Sequence, residues 1–125
     1  MILLLDAHAV LWAVAEPERL TSDARSAIAD PANDVLVSAA CIWELEIKRA
    51  SGKLRLGPDL LADLERVRFD VLPMTASDAT SAARLPLHHR DPFDRMVIAQ
   101  AARLDATIVT RDPLFSAYGV DVLAA

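Results

Sequence analysis

A chain of 125 residues with a net charge of −5 and 54% hydrophobic residues has the size of one domain around one core, spanning residues 1–125. The acidic balance, with thirteen aspartates among eighteen acids, excludes a general electrostatic grip on nucleic acid. Any polyanionic substrate must therefore be held locally or through cations, and three glycines exclude a glycine-rich phosphate loop or a dinucleotide fingerprint.

The opening "MILLLD" is a short continuous apolar run ending in a charge, the pattern of a parallel strand buried on both faces. "AHAVLWAVA" reads as a helix, and "TSDARSAIAD" as a second that opens with hydroxyl caps. "PAND" breaks it, and "VLVS" is the second strand. From Ala39, Ile42, Trp43, Leu45, Ile47 and Ala50 fall at helical spacing, with Gly52 as the stop. "GPDLLADLERV" is a fourth helix, with Pro58 suited to its first turn, and "FDVLPM" is the third strand.

"TASDATSAARL" is a fifth helix, capped by Thr75 with Asp78 in the capping-box place. "DPFDRMVIAQAA" is a sixth, "TIVT" a strand, "DPLFSAYG" a short helix and "VDVL" a last strand. Strands that alternate with helices imply parallel pairing through right-handed crossovers. The expected fold is α/β, a three-layer α/β/α sandwich with a central parallel sheet.

Cys41, the single cysteine, lies in an apolar stretch where a small buried thiol is expected, and it suits a reducing, cytoplasmic setting. The longest apolar region, "ILLLDAHAVLWAVA", is broken by Asp6 and His8 and is shorter than the ~20 residues a bilayer requires. No signal peptide and no membrane association are expected. A mean hydropathy of +0.27 is high for a small domain, so a homodimer face or a protein-binding groove is expected on the surface.

Asp6 ends the first strand and Asp112 follows the fourth, which places both at carboxyl ends of strands, the edge that carries the site in open parallel sheets. Glu44 lies early in the third helix, and Asp94 lies in the first turn of the sixth. Taken singly, each has a structural account. In "RDPFD", Asp91 reads as an N-cap, Pro92 as the first helical residue and Asp94 as a first-turn acid favoured by the helix dipole. "RDPLF" repeats the pattern around Asp112, while Glu44 has Lys48 four residues on and Glu46 as a competitor for any functional role. Joint placement argues otherwise, because independent caps have no reason to gather at one end of one sheet.

Carboxylates within ~4–6 Å of one another in a partly desolvated cleft cannot all stay ionised without strongly raised pKa values. A divalent cation removes that conflict. An all-oxygen site suits Mg²⁺ or Mn²⁺ better than zinc, and metal-assisted phosphodiester hydrolysis is the chemistry such a site supports.

Four stretches in order, "LLLDAHAVLW", "VSAACIWELEIKRASGKL", "LPLHHRDPFDRMVIAQA" and "TIVTRDPLF", make the chain resemble a PIN-domain ribonuclease, specifically the VapC-type toxins of bacterial toxin–antitoxin pairs. The likeness runs nearly end to end. It implies a single PIN-like domain acting on RNA, with Asp6, Glu44, Asp94 and Asp112 as the catalytic, metal-binding quartet. Glu44 is favoured over Glu46 because it follows the tryptophan of "IWELEIK". By the same analogy Asp6 and Asp94 are the main ligands, Glu44 and Asp112 complete the site, Thr110 steadies it, and Asp91 keeps its capping role. Mg²⁺ as cofactor with Mn²⁺ as substitute, a small cognate antitoxin and a homodimer are implied too.

His88 and His89 are assigned to loop or packing roles, since adjacent residues point different ways and imidazole suits softer metals. His8 reads as a partly packed helix residue rather than a general base, and Trp12 and Trp43 as core or interface residues. Lys48, Arg49, Lys53 and Arg55 form the densest basic patch, with Arg90, Arg95 and Arg111 beside the later motifs, most of them read as solvated face and some as contacts to an RNA backbone. A receiver-like domain would need a lysine after its last strand, and a haloacid-dehalogenase-type phosphatase a second aspartate where His8 stands. The remaining alternatives are a catalytically inactive PIN-fold scaffold and a metal-dependent phosphatase.

Overall fold

Leu3, Leu4 and Leu5 are all fully buried, although successive side chains of a strand point to opposite faces. Such a strand must be covered on both sides. In the computed structural model, which describes residues 1–125, they belong to β1 (Ile2–Leu5). The chain continues through α1 (Ala7–Ala15), a 3-10 turn (Pro17–Arg19), α2 (Ser22–Ala29), β2 (Asp34–Ser38), α3 (Ala39–Ala50) and α4 (Leu60–Arg66). It then forms β3 (Asp70–Leu72), α5 (Ala76–Arg84), α6 (Pro92–Leu104), β4 (Thr107–Thr110), a 3-10 segment (Pro113–Tyr118) and β5 (Val122–Ala124).

All strand pairs are parallel, in the order β3-β2-β1-β4-β5, so the expected three-layer α/β/α sandwich around a parallel sheet is the fold observed. Successive strands step outward from β1 to β3, and the chain then crosses to β4 on the far side of β1. Leu5 pairs with Val37 of β2 and Val109 of β4, which sets the carboxyl ends of the three central strands level. Loops leaving that edge at the switch between β1 and β4 are where an open sheet opens a crevice.

Helix starts follow the chemistry of their first residues. Thr21 caps α2 by accepting the Ala24 N–H at 3.1 Å, and Ser38 caps α3 by accepting that of Ala40 at 3.1 Å. Thr75 and Asp78 form the reciprocal capping box expected of α5. Gly52 sits just past α3 at φ 76, a left-handed conformation that a side chain disfavours.

One local expectation is corrected and two details are added. Pro58 is not in a helix: α4 begins at Leu60, because the Asp59 carboxylate takes the cap by accepting the Ala62 N–H at 3.1 Å. The segment after Asp112 is a 3-10 helix, and a 3-10 turn at Pro17–Arg19, absent from the sequence reading, closes the end of α1.

Val10, Val97, Ile98, Ile108, Val109 and Phe115 join the β1 leucines in one core, and Cys41 lies within it. Burial pushes the Cys41 thiol well above its ordinary value, so it is an inert packing group. Asp78, almost fully buried, is held down at about 2 by the Arg103 guanidinium, whose Nε donates to its Oδ1 at 2.7 Å. No helix is long and apolar enough to cross a membrane.

Candidate active site

Three of the acids at the carboxyl edge, Asp6, Asp91 and Asp112, arrive there as helix caps, so a local need for capping fixes their backbone before any chemistry is asked of their side chains. Asp6 follows β1 and caps α1, its Oδ1 accepting the Ala9 N–H at 2.8 Å. Asp91 caps α6 by accepting the N–H groups of Phe93 and Asp94 at 2.8 and 3.2 Å, which leaves Asp94 in the first turn. Asp112 caps the 3-10 segment by accepting the Leu114 N–H at 2.9 Å. Each cap uses one carboxylate oxygen and leaves the other for a different partner.

These residues line one cavity of about 360 Å³, whose wall includes Asp6, Glu44, Asp91, Asp94 and Asp112. Glu44 reaches it from the second turn of α3, with Lys48 one turn on at 3.0 Å from its Oε2. Glu46 does not reach it and is paired with Arg49. Thr110, the last residue of β4, joins two of the acids: its hydroxyl donates to Asp6 Oδ2 at 2.5 Å and accepts the Asp112 N–H at 3.0 Å.

Crowding and burial show in the acid–base properties. Asp94 is pushed up to about 7, first by burial and then by the charge of Asp91, with His89 opposing and Glu44 and Asp6 adding to the rise. Asp6 is also raised, by burial, against hydrogen bonds from Thr110 and Ala9 that pull it down. Glu44 Oε1 is a buried oxygen without a hydrogen-bond partner. A carboxylate oxygen shut away from water with no donor is costly unless a cation meets it.

Glu44, Asp91 and Asp94 each offer an oxygen within 4.8 Å of the others, an oxygen-only set matching a hard divalent ion. The residues present therefore fit a metal, with Asp6 and Asp112 on the surrounding wall.

The sequence profile of the PIN domain matches residues 3–120. The chain belongs to the PIN-domain family. This PIN domain is 33% identical over 112 residues to Ribonuclease VapC22 of Mycobacterium tuberculosis (strain ATCC 25618 / H37Rv), covering 87% of this chain and 85% of that protein. Among solved structures it is similar to VapBC2 from Rickettsia felis bound to a DNA fragment from its promoter, with a TM-score of 0.73 at 16% identity over 98% of each chain. FitAcB from Neisseria gonorrhoeae matches with a TM-score of 0.61 at 24% identity, covering 99% of this chain and 97% of that one. These two share its fold.

All four acids of the expected quartet line the one cavity of this PIN domain. Two side chains do more than the sequence assigned to them. Asp91 is not confined to capping, since its carboxylate also stands with those of Glu44 and Asp94, whereas Asp6 belongs to neither of the two tight clusters. His89 is not a loop or packing residue alone: it is buried, and its Nε2 lies 2.9 Å from an oxygen of Asp94 and 2.9 Å from one of Asp112. His88 is exposed and packs edge-on to Tyr118. His8 is exposed too, and it lines the cavity beside Trp12.

Arg111 and Lys48 are the cations of the cavity wall. The Arg111 guanidinium lies over the Trp12 ring at 4.2 Å and donates to the Arg19 carbonyl at 2.6 Å, which holds it at the rim.

Proposed function

We propose that this PIN domain, taken as one unit over residues 1–125, is a metal-dependent endoribonuclease that serves as the toxin of a toxin–antitoxin pair. The observation that carries the reading is the convergence of five carboxylates on one cavity, with a buried Glu44 oxygen lacking a partner and Asp94 shifted to about 7. The likeness to Ribonuclease VapC22 supports RNA as the substrate.

Glu44, Asp91 and Asp94 would hold the ion, Mg²⁺ with Mn²⁺ as its substitute, and Asp6 and Asp112 would complete the site. When bound, such an ion lowers the pKa of an attacking water, orients the phosphate and neutralises charge on the leaving oxygen. The chain's own part is to fix the acids. Thr110 holds Asp6 and the strand end that leads to Asp112, and Arg111 and Lys48 offer positive charge to a phosphate at the rim. Both cations supply locally the attraction that a net charge of −5 denies to the whole surface.

A small cognate antitoxin is the proposed partner, as in the VapBC assembly to which the fold is similar. A homodimer is proposed as well, supported by the apolar hollow of about 510 Å³ that Trp43, Met74, Phe93 and Met96 line and by the 57% exposure of Trp43. The buried free thiol of Cys41 suits the cytoplasm.

The test is to map cleaved cellular RNAs after induction, with Asp6→Asn and Asp94→Asn controls, and to repeat cleavage on purified RNA with Mg²⁺, Mn²⁺ or EDTA. Asp94→Asn is expected to lower the cleavage rate about a hundredfold or more, on the scale of losing one preorganised electrostatic contact, with folding retained. Cleavage that survives both EDTA and Asp94→Asn removes the reading, and release of phosphate from small esters without RNA cleavage would favour a phosphatase.

A further inference from the structure

His89 is held more firmly than any other residue of the loop between α5 and α6. The buried Arg95 guanidinium reaches back from α6 and donates to the carbonyls of Ala82, Leu85, Pro86 and His89 at 2.9, 2.7, 2.9 and 3.1 Å. Tyr118, from the 3-10 segment after β4, accepts the His89 N–H at 2.8 Å and donates to the Pro86 carbonyl at 2.6 Å. The imidazole stands edge-on to Phe115 with ring centres 5.6 Å apart. Backbone and ring are thus fixed from three sides.

Its two nitrogens are chemically distinct. Nδ1 faces the Asp91 N–H at 3.2 Å, a donor, so the Nδ1 lone pair is engaged and the ring proton is assigned to Nε2. Nε2 in turn lies 2.9 Å from Asp94 Oδ2 and 2.9 Å from Asp112 Oδ2. The Nε2–H therefore donates to Asp112 with Asp94 in close contact beside it, and the two carboxylates come from different elements of the fold.

We propose that His89 is a positioning residue that holds Asp94 beside Asp112, its Nε2 hydrogen-bonded to Asp112 and in contact with Asp94, and is not itself a metal ligand, although its Nε2 and the two carboxylates lie close enough together to suggest a nitrogen-containing metal triad. To ligate through Nε2, the imidazole would have to move its proton to Nδ1, directly against the Asp91 N–H. The donor also leaves Oδ1 of Asp94 as the oxygen for an ion, which keeps the ligand set purely oxygen. This inference rests on the metal-dependent reading above.

The experiment measures Mn²⁺ binding by calorimetry and by electron paramagnetic resonance on the full chain, in wild type, His89→Gln and His89→Asn. A glutamine amide occupies the place of Nε2 and an asparagine amide that of Nδ1. His89→Asn is expected to weaken Mn²⁺ binding by about 10- to 100-fold, the range for losing a group that orients ligands, and His89→Gln to restore most of it. The wild-type Mn²⁺ spectrum is expected to lack the nitrogen coupling of a directly bound imidazole. That coupling, or His89→Asn binding Mn²⁺ as well as wild type, overturns the proposal. Should His89→Asn fail to fold, the His89→Gln affinity and the wild-type spectrum decide. Wild type that binds no Mn²⁺ overturns both this inference and the metal-dependent function, whereas wild type that binds and cleaves beside an unimpaired His89→Asn overturns the positioning role alone.

Discussion

Thr110 donates its hydroxyl to Asp6 across the ends of two neighbouring parallel strands, at 2.5 Å and fully out of solvent. Burial raises the Asp6 pKa, and this hydrogen bond is the first of the effects that oppose the rise. Thr110→Val keeps the shape and deletes the donor. It is expected to cost about 1 kcal/mol of stability and to leave Asp6 holding its proton to higher pH. Metal must compete with that proton, so Mn²⁺ titrations at several pH values should show the variant's affinity curve displaced to higher pH. An unchanged curve would show that Asp6 takes no part in binding.

Asp94 gives the metal-free protein an unusual pH response. Its ordinary value is 3.8 and its value in the fold is about 7. Between those limits the folded chain holds a proton that the unfolded chain has released, so raising the pH through this window disfavours the fold. The penalty is absent below 3.8 and complete above about 7. Melting temperature in EDTA is expected to fall from pH 5 to pH 8, to vary less in Asp94→Asn, and to recover when Mn²⁺ is added at the alkaline end. Asp78 acts in the opposite sense and in a different window, losing its contribution as pH falls from 3.8 towards 2. A wild-type melting temperature that is flat or rising across pH 5–8 in EDTA contradicts the assignment.

Arg95 meets four carbonyls within 3.1 Å and a fifth, that of Ala83, at 3.4 Å, from a nearly buried position. A lysine has three donors on a single nitrogen and cannot span them. Arg95→Lys is expected to lose roughly 2–4 kcal/mol in urea denaturation, because buried acceptors are left without donors. Metal affinity should fall along with stability, since the loop carrying His89 is no longer clamped. A variant as stable as wild type would mean that water replaces the guanidinium at no cost.

Trp43 stands 57% exposed on α3, edge-on to Phe93 at 5.2 Å, above the apolar hollow that also holds Met74 and Met96. Placing a charge there should abolish burial of that face against a second copy. Trp43→Glu is expected to elute as a monomer where wild type elutes as a dimer, as read by light scattering after size exclusion. A monomeric wild type, or a dimer that tolerates the glutamate, sinks the homodimer.

The strands and most helix limits were readable because their causes are local: unbroken apolar runs for strands buried on both faces, and Thr, Ser or Asp immediately before each helix. Pro58 misled because a neighbouring aspartate outcompeted it as the start signal. The acid cluster was legible from topology, since parallel strands deliver their following residues to one edge. What could not be read was the second use of one side chain. Asp91 caps with one oxygen and faces Glu44 and Asp94 as well, and nothing in "RDPFD" distinguishes a cap that also looks into a cavity. His89 was hidden for a different reason: its direction depends on Tyr118, 29 residues away, and on carbonyl contacts from Arg95 that no local pattern encodes.

The pairing of Leu5 with Val109 brings together acids that lie near opposite ends of the sequence, residues 6 and 112. The first acid of the cavity therefore meets the last only when β4 docks beside β1. Long-range strand pairing of this kind is among the slower events in folding. The crevice is consequently complete only once the last quarter of the chain has folded onto the first strand.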